Sequence, residues 1–339
     1  MADAIKPAPR EQSVEMPPLP EGWHVQSYDV LSDGCLAILG ADIDIWAEFA
    51  KLRDSGLGGI PSSAAKATAK IWTFDGSSLA AGPIFPLHKP GLIVARFPDG
   101  RWLVCNSTCV ERPSGRILSS DGDWIGSIEL GYCVNNVKID NASRIWVNWI
   151  DQGIFGNDSW TVSNLEWSPA SYGLVCFDEF GEVVRHARSC PHAVGIADCF
   201  ALNVIGCTAW ASTDPDSFLV ALRDKQEEQW WATGLKASRA IAVDEPYILA
   251  AGGYDFASRA EKESAPASRI AGLDLSDNGR RVSLLRLADG QAELYGQWEM
   301  PIQVGFPNSL DLIDGQGDTL HIVDEDVWRR WRVRDFLNE

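Results

Sequence analysis

Asn135, Asn136, Asn203, Arg239 and Asn308 each stand just before or near the start of a short apolar run, where polar groups from several runs can converge. Side-chain amide oxygens with nearby carboxylates are hard ligands of the kind that hold Ca²⁺ or another divalent cation. The same asparagines also suit a wet channel without metal, because enclosed polar groups pair with one another or with water. Asp151, with Gly153 and Gly156 nearby, offers a carboxylate for a cation or a hydroxyl where the backbone can approach closely, or simply a turn after a strand. His186-Ala-Arg-Ser-Cys-Pro-His192 suggests zinc, but Cys199 and Cys207 do not lie at a zinc-site spacing from it. As a nucleophile, Cys190 lacks a base: a histidine two positions away on an extended strand shares its face without reaching hydrogen-bond range. There is no Gly-rich phosphate loop, Gly-x-Ser-x-Gly elbow or His-Glu-x-x-His. Nucleotide hydrolysis, serine hydrolysis of the elbow type and zinc proteolysis are therefore disfavoured.

What must position these residues is a recurring phrase: an apolar run, a turn rich in Asp, Asn, Ser and Gly, and a second apolar run. Its fullest copy is Val137-Lys-Ile-Asp-Asn-Ala-Ser-Arg-Ile-Trp-Val-Asn-Trp149, with looser copies at 28–39, 94–104 and 310–324. Repeated strand–turn–strand units along one chain predict an all-β fold, a single β-propeller, with the strands grouping into six blades. The last unit offers only three strands. The segment beginning Gln12-Ser-Val-Glu-Met16 is expected to supply the fourth, closing the ring and covering an edge. The propeller is expected over 12–336, after a disordered lead at 1–11. Trp46, Phe49 and Leu52 near helical spacing, with a stop at Gly56, predict a short helical insertion near 44–55. The small, polar residues of 255–268 predict a long loop.

Composition bounds the partners. A formal net charge of −18 repels phosphate backbones and anionic lipid, so nucleic acid and membrane are disfavoured. The N-terminus lacks the apolar core of a signal peptide, and eight cysteines without such a leader read as reduced and buried, which together predict cytoplasmic placement; a monomer is expected. The 15 tryptophans suit the flat spaces between packed sheets.

Asn135-Asn-Val-Lys-Ile-Asp140 with Ala142-Ser-Arg-Ile-Trp146, and Asn308-Ser-Leu-Asp-Leu312 with Leu320-His-Ile-Val-Asp324, resemble the motifs of gluconolactonase-type propellers. The resemblance implies a divalent cation held by Asn135 and Asn308. Asn136, Val137 and Ser309 stand where that family has Asp and two Gly. The phrase is also similar to the repeat of non-catalytic sensor propellers. Three segments, 144–156, Asp198-Cys-Phe-Ala-Leu-Asn-Val204 and 249–254, resemble a group of uncharacterised bacterial β-propeller proteins. That resemblance implies the fold and a bacterial origin; clear repeats without a complete catalytic set lead to the expectation of a non-catalytic binding or scaffolding module. A protein or small-molecule ligand would dock on the channel face near Asp151 and Tyr254. The alternative is a metal-dependent, lactonase-like hydrolase.

Overall fold

A computed structural model describes residues 5–55, 66–87, 91–107, 112–157, 159–162, 165–188, 195–215, 217–224, 226–235, 237–252, 281–301, 312–324 and 326–338. The expected loop at 255–268, Tyr254 and Asn308 lie outside the described residues.

The chain opens with β1 (Lys6–Pro7) and β2 (Gln12–Glu15). A first antiparallel sheet follows, β3 (His24–Val30), β4 (Leu36–Ala41), β5 (Ala67–Phe74) and β6 (Leu79–Leu87), with helix α1 (Ile45–Asp54) between β4 and β5. The second comprises β7 (Leu92–Arg96), β8 (Trp102–Asn106), β9 (Gly115–Leu118) and β10 (Trp124–Ile128). The third is built from β11 (Val134–Ile139), β12 (Ile145–Trp149), β13 (Leu174–Phe177) and β14 (Val183–His186), with α2 (Asp151–Gly156) directly after β12. Next come β15 (Asp198–Ile205), β16 (Thr208–Asp214), β17 (Phe218–Leu222) and β18 (Gln229–Ala232), then β19 (Ala240–Asp244), β20 (Tyr247–Ala251), β21 (Arg281–Ala288) and β22 (Gln291–Glu299). The chain ends in β23 (Leu312–Gln316), β24 (Thr319–Asp324), β25 (Val327–Arg332) and helix α3 (Val333–Leu337).

The arrangement is all-β and propeller-like, but its hydrogen bonds do not give six separate sheets. They give four sheets of four strands and one of nine, because β18 meets β22 through a single parallel pair, Ala232 with Gln291, and β1 also joins β22. The inner strands β3, β7, β11, β15, β19 and β23 each contact the next, and β23 returns to β3.

The recurring phrase folds into hairpins for a local reason. Asp140 Oδ1 accepts the Ala142 and Arg144 N–H groups at 2.8 and 3.0 Å, so one carboxylate organises the turn between β11 and β12. Its Oδ2 accepts Arg144 Nε at 2.7 Å and Trp146 Nε1 at 3.0 Å, tying the turn to the sheet behind it. Asp178 repeats the device on Phe180 and Glu182. The core lies in slabs between neighbouring units; Met16, Tyr28, Ile38, Trp72, Val323 and Trp328, for instance, pack the last unit on the first. Trp146, Trp149, Trp210, Trp328 and Trp331 are fully buried in such slabs.

β2 runs antiparallel to β25, pairing Gln12 with Arg330 and Glu15 with Val327, so the N-terminal strand completes the last sheet. Within the stretch expected as a lead, described residues have partners: Lys6–Pro7 pair with Trp298 and Glu299, the Pro9 carbonyl accepts Trp331 Nε1 at 3.0 Å, and Glu11 pairs with Arg329 at 2.7 Å. The buried indole and the otherwise open edge of β25 give these residues partners that the sequence alone does not display.

Candidate functional site: the channel and its mouth

At the end where the inner strands begin, two bulges face one another. β11 is irregular between Val134 and Asn136, and β15 between Cys199 and Ala201. A bulge frees backbone groups from the ladder, and asparagines satisfy them here. Asn135 Nδ2 donates to the Cys199 and Phe200 carbonyls at 3.1 and 2.8 Å, and Asn136 Nδ2 to Phe200 O at 3.3 Å. Buried Asn148 accepts the Asn136 N–H at 2.8 Å and donates to Cys199 O at 2.9 Å. These three side chains bolt the third unit to the fourth.

Asp151 opens α2 at the same mouth. Its N–H donates to Asp198 Oδ1 at 2.6 Å, yet burial, with repulsion from Asp151 and Asp214, pushes the Asp198 carboxyl up to about 6. At Gly153 a Cβ would stand 2.7 Å from the Tyr132 carbonyl, so the glycine admits neighbouring backbone. Arg239 precedes β19 at this end, and its N–H donates to Ala251 O at 3.0 Å. Cys105, Cys133, Cys176 and Cys199 are buried free thiols.

Asn203 belongs elsewhere. It lies three residues beyond Phe200, about 10 Å along β15 at ~3.3 Å per residue. Its Nδ2 donates to Ile241 O at 2.9 Å and Gly317 O at 2.8 Å, while its Oδ1 accepts the Gly317 N–H at 3.0 Å. Gln316 Nε2 donates to Val204 O at 2.9 Å alongside it. The β23–β24 turn is thereby drawn onto β15 and β19, narrowing the channel at the hairpin end. Gly315 makes this approach possible, since a Cβ there would fall 1.8 Å from the Ile241 carbonyl.

Between the two ends lies a charged cluster that the candidate set omits. Buried Lys138 on β11 donates to Val30 O at 2.9 Å and forms an ion pair with Asp314 on β23, spanning from the third unit to the last. Burial raises the Asp314 carboxyl, with Lys138 and the Gly315 N–H opposing it. Asp29 on β3 accepts the Val94 N–H at 3.0 Å; burial pushes it up to about 8, and the field of Lys138 only partly offsets that. Buried His321 is pushed down to about 3 by burial and by nearby Lys138 and Arg330. The phrase does hint at the cluster. Asp29 and Lys138 occupy the same hairpin register, one pair before the last, opposite the buried Ala37 and Trp146. A charge set among core positions needs a partner.

Of the named residues, the structure gathers Asn135, Asn136 and Asp151 at one mouth and separates Asn203 from them. Of the expected metal pair, Asn135 engages its amide nitrogen with backbone, while Asn308 lies outside the described residues. Among the described residues no three His, Cys, Asp or Glu side chains converge at metal-binding range. No helix among them is long and apolar enough to cross a membrane.

No sequence-family model matches the chain. No curated protein matches it either. Among solved structures, a functionally unknown protein from Desulfotomaculum acetoxidans DSM 771 aligns with a TM-score of 0.49 at 9% identity, over 91% of this chain and 84% of that one. Virginiamycin B lyase from Staphylococcus aureus aligns at 0.46 and 11% identity, over 95% and 99% of the two chains. A gluconolactonase from Xanthomonas campestris aligns at 0.41 and 11% identity, over 96% and 98%.

Proposed function

We propose that this chain is a six-bladed propeller serving as a non-catalytic binding or scaffolding module. The blade count treats β15–β18 and β19–β22 as two four-stranded meanders touching through one parallel pair. The observation that carries the functional reading is how the channel's polar groups are engaged. Asn135, Asn136, Asn148 and Asn203 hold backbone, and Lys138 holds Asp314. Groups bonded in this way stiffen a scaffold; a general acid or base must instead be able to reach a substrate proton. The partner is a protein or small molecule that docks at the mouth carrying Asp151.

The test is a pull-down with the intact chain, run beside an Asp151→Arg variant. A reproducible partner lost in the variant supports docking there. Recovery of the same partner by both forms removes that mouth from the proposal, and the absence of any reproducible partner removes the module reading.

The second reading, a lactonase-like hydrolase with a divalent cation held by Asn135 and Asn308, rests on the motif resemblance alone. There the two asparagines would hold a cation able to supply Lewis-acid polarisation of a lactone carbonyl and activation of water. Elemental analysis of purified protein separates the two readings: stoichiometric Ca²⁺, Mg²⁺, Mn²⁺ or Zn²⁺ that disappears in Asn135→Ala favours the hydrolase.

A further inference from the structure

The face of the last sheet that looks toward the first is apolar along the row of Leu312, Val323, Trp328 and Val14, and polar beyond it. Register places Asp314, His321, Arg330 and Gln12 in one row from β23 to β2, and Gln316, Thr319 and Arg332 in the next row on the same face. Apart from Asp314, these side chains line a cavity of about 290 Å³, closed on the other side by the Ser32–Gly34 turn of the first sheet. An apolar slab around Trp72 and Trp328 lies directly beside it.

Three polar atoms on this lining are buried and have no hydrogen-bond partner: His321 Nδ1, Arg330 Nε and Gln316 Oε1. His321 is 3% exposed. Leaving such atoms unpaired is costly. Their supports are rigid. Trp328 lies under both cationic and imidazole groups, 4.3 Å from the Arg330 guanidinium and stacked on His321 at 5.6 Å. The acidic residues of the lining have other partners: Asp33 pairs with Arg96, and Asp318 accepts the Thr319 hydroxyl at 2.9 Å. Arg96 neutralises Asp33, whereas Asp318 keeps its charge, so Arg330 and Arg332 leave the lining with an excess of positive charge for a ligand.

Donor and acceptor identity narrows the occupant. Arg330 only donates and asks for an anion; Gln316 Oε1 only accepts and asks for a hydroxyl. A simple anion would leave the glutamine oxygen unpaired. The volume sits at the small end for ligand sites, and the lining is hydrophilic throughout. We propose that this cavity between the last and first sheets binds a small hydroxy acid, its carboxylate on Arg330 and its hydroxyl on Gln316, with His321 bridging them. The site is separate from the channel mouth and stands whether or not a partner docks there.

Calorimetric titration of the full chain tests it, using tartrate and glycerate as probes, with acetate, glycerol and inorganic phosphate as comparators. Saturable binding of a hydroxy acid is expected, at least tenfold weaker for every comparator and at least tenfold weaker in Arg330→Gln. Equal binding of acetate or phosphate, undiminished binding in Arg330→Gln, or no saturation by either hydroxy acid at millimolar concentration would overturn it. Should Arg330→Gln fail to fold, the wild-type chain still decides. The chain has five histidines, and burial holds His321 neutral well below its ordinary range. Its NMR resonance must move on adding glycerate; an unmoved resonance at saturating probe refutes the assignment.

Discussion

Replacing Asp29 by Asn should flatten the pH dependence of stability just above neutrality. The folded-state carboxyl sits at about 8 against an ordinary value of 3.8, raised chiefly by burial. The native state therefore keeps a proton that the unfolded chain releases, and stability falls as pH rises through that window. His321 works in the opposite sense, but only below its ordinary 6.5, because its folded value is about 3. Asp198, at about 6, has also finished titrating before the upper part of the window. Between pH 6.5 and 8 the Asp29 effect dominates, with Asp314 and, toward pH 8, the buried thiols of Cys105, Cys176 and Cys199 adding in the same direction. Integrating the linkage over that interval gives a loss of about 1.6 kcal/mol, at roughly 1.4 kcal/mol per pH unit on the acid side. Asparagine keeps an oxygen for the Val94 N–H and carries no proton to lose. Urea unfolding followed by tryptophan fluorescence at several pH values reads the difference directly. Wild-type stability that is level from pH 6.5 to 8, or a decline that Asp29→Asn leaves untouched, would refute the reasoning.

The remaining expectations concern the closure of the ring. Lys138→Met strands the Asp314 carboxylate in the interior and should cost about 3–5 kcal/mol, with most of it recovered in Lys138→Met/Asp314→Leu; additive single and double mutants in urea titrations would show that the pair is not coupled. Gly315→Ala forces a methyl into the Ile241 carbonyl and should cost about 3 kcal/mol or more; a melting temperature within a degree of wild type would place the β19–β23 approach in error. Deleting residues 1–15 removes the ladder of β2 on β25 and the cap on Trp331, and should cost about 3 kcal/mol or more from the lost hydrogen bonds. Unchanged stability of that truncation would detach the N-terminus from the account.

The strands and their turns were legible because the determinants are local. An Asp two and four residues before the N–H groups it accepts, as at Asp140 and Asp178, writes the hairpin into the chain. The pairing of Gln12–Glu15 with β25 was legible from the missing strand in the last unit. What adjoining units do to one another was not. The single pair between Ala232 and Gln291, which merges two expected sheets, depends on how closely strand ends meet, and nothing in either segment encodes that distance. The asparagines were found by type, but their task as clamps on opposed bulges depends on carbonyls of another unit. Lys138, Asp29 and Asp314 were passed over because each looks like an ordinary polar position in its own strand. Their partners lie 176 residues apart in the case of Lys138 and Asp314. The polar face around His321 and Arg330 likewise appears only when register aligns four strands drawn from both ends of the chain.

The central claim is that the channel binds without performing chemistry, and the most direct measurement is the rate of lactone hydrolysis by the purified chain supplied with Ca²⁺, Mg²⁺, Mn²⁺ or Zn²⁺. The account predicts rates at the uncatalysed background for wild type and for Asn135→Ala alike. Metal-dependent turnover by the wild-type chain that disappears in Asn135→Ala would contradict it.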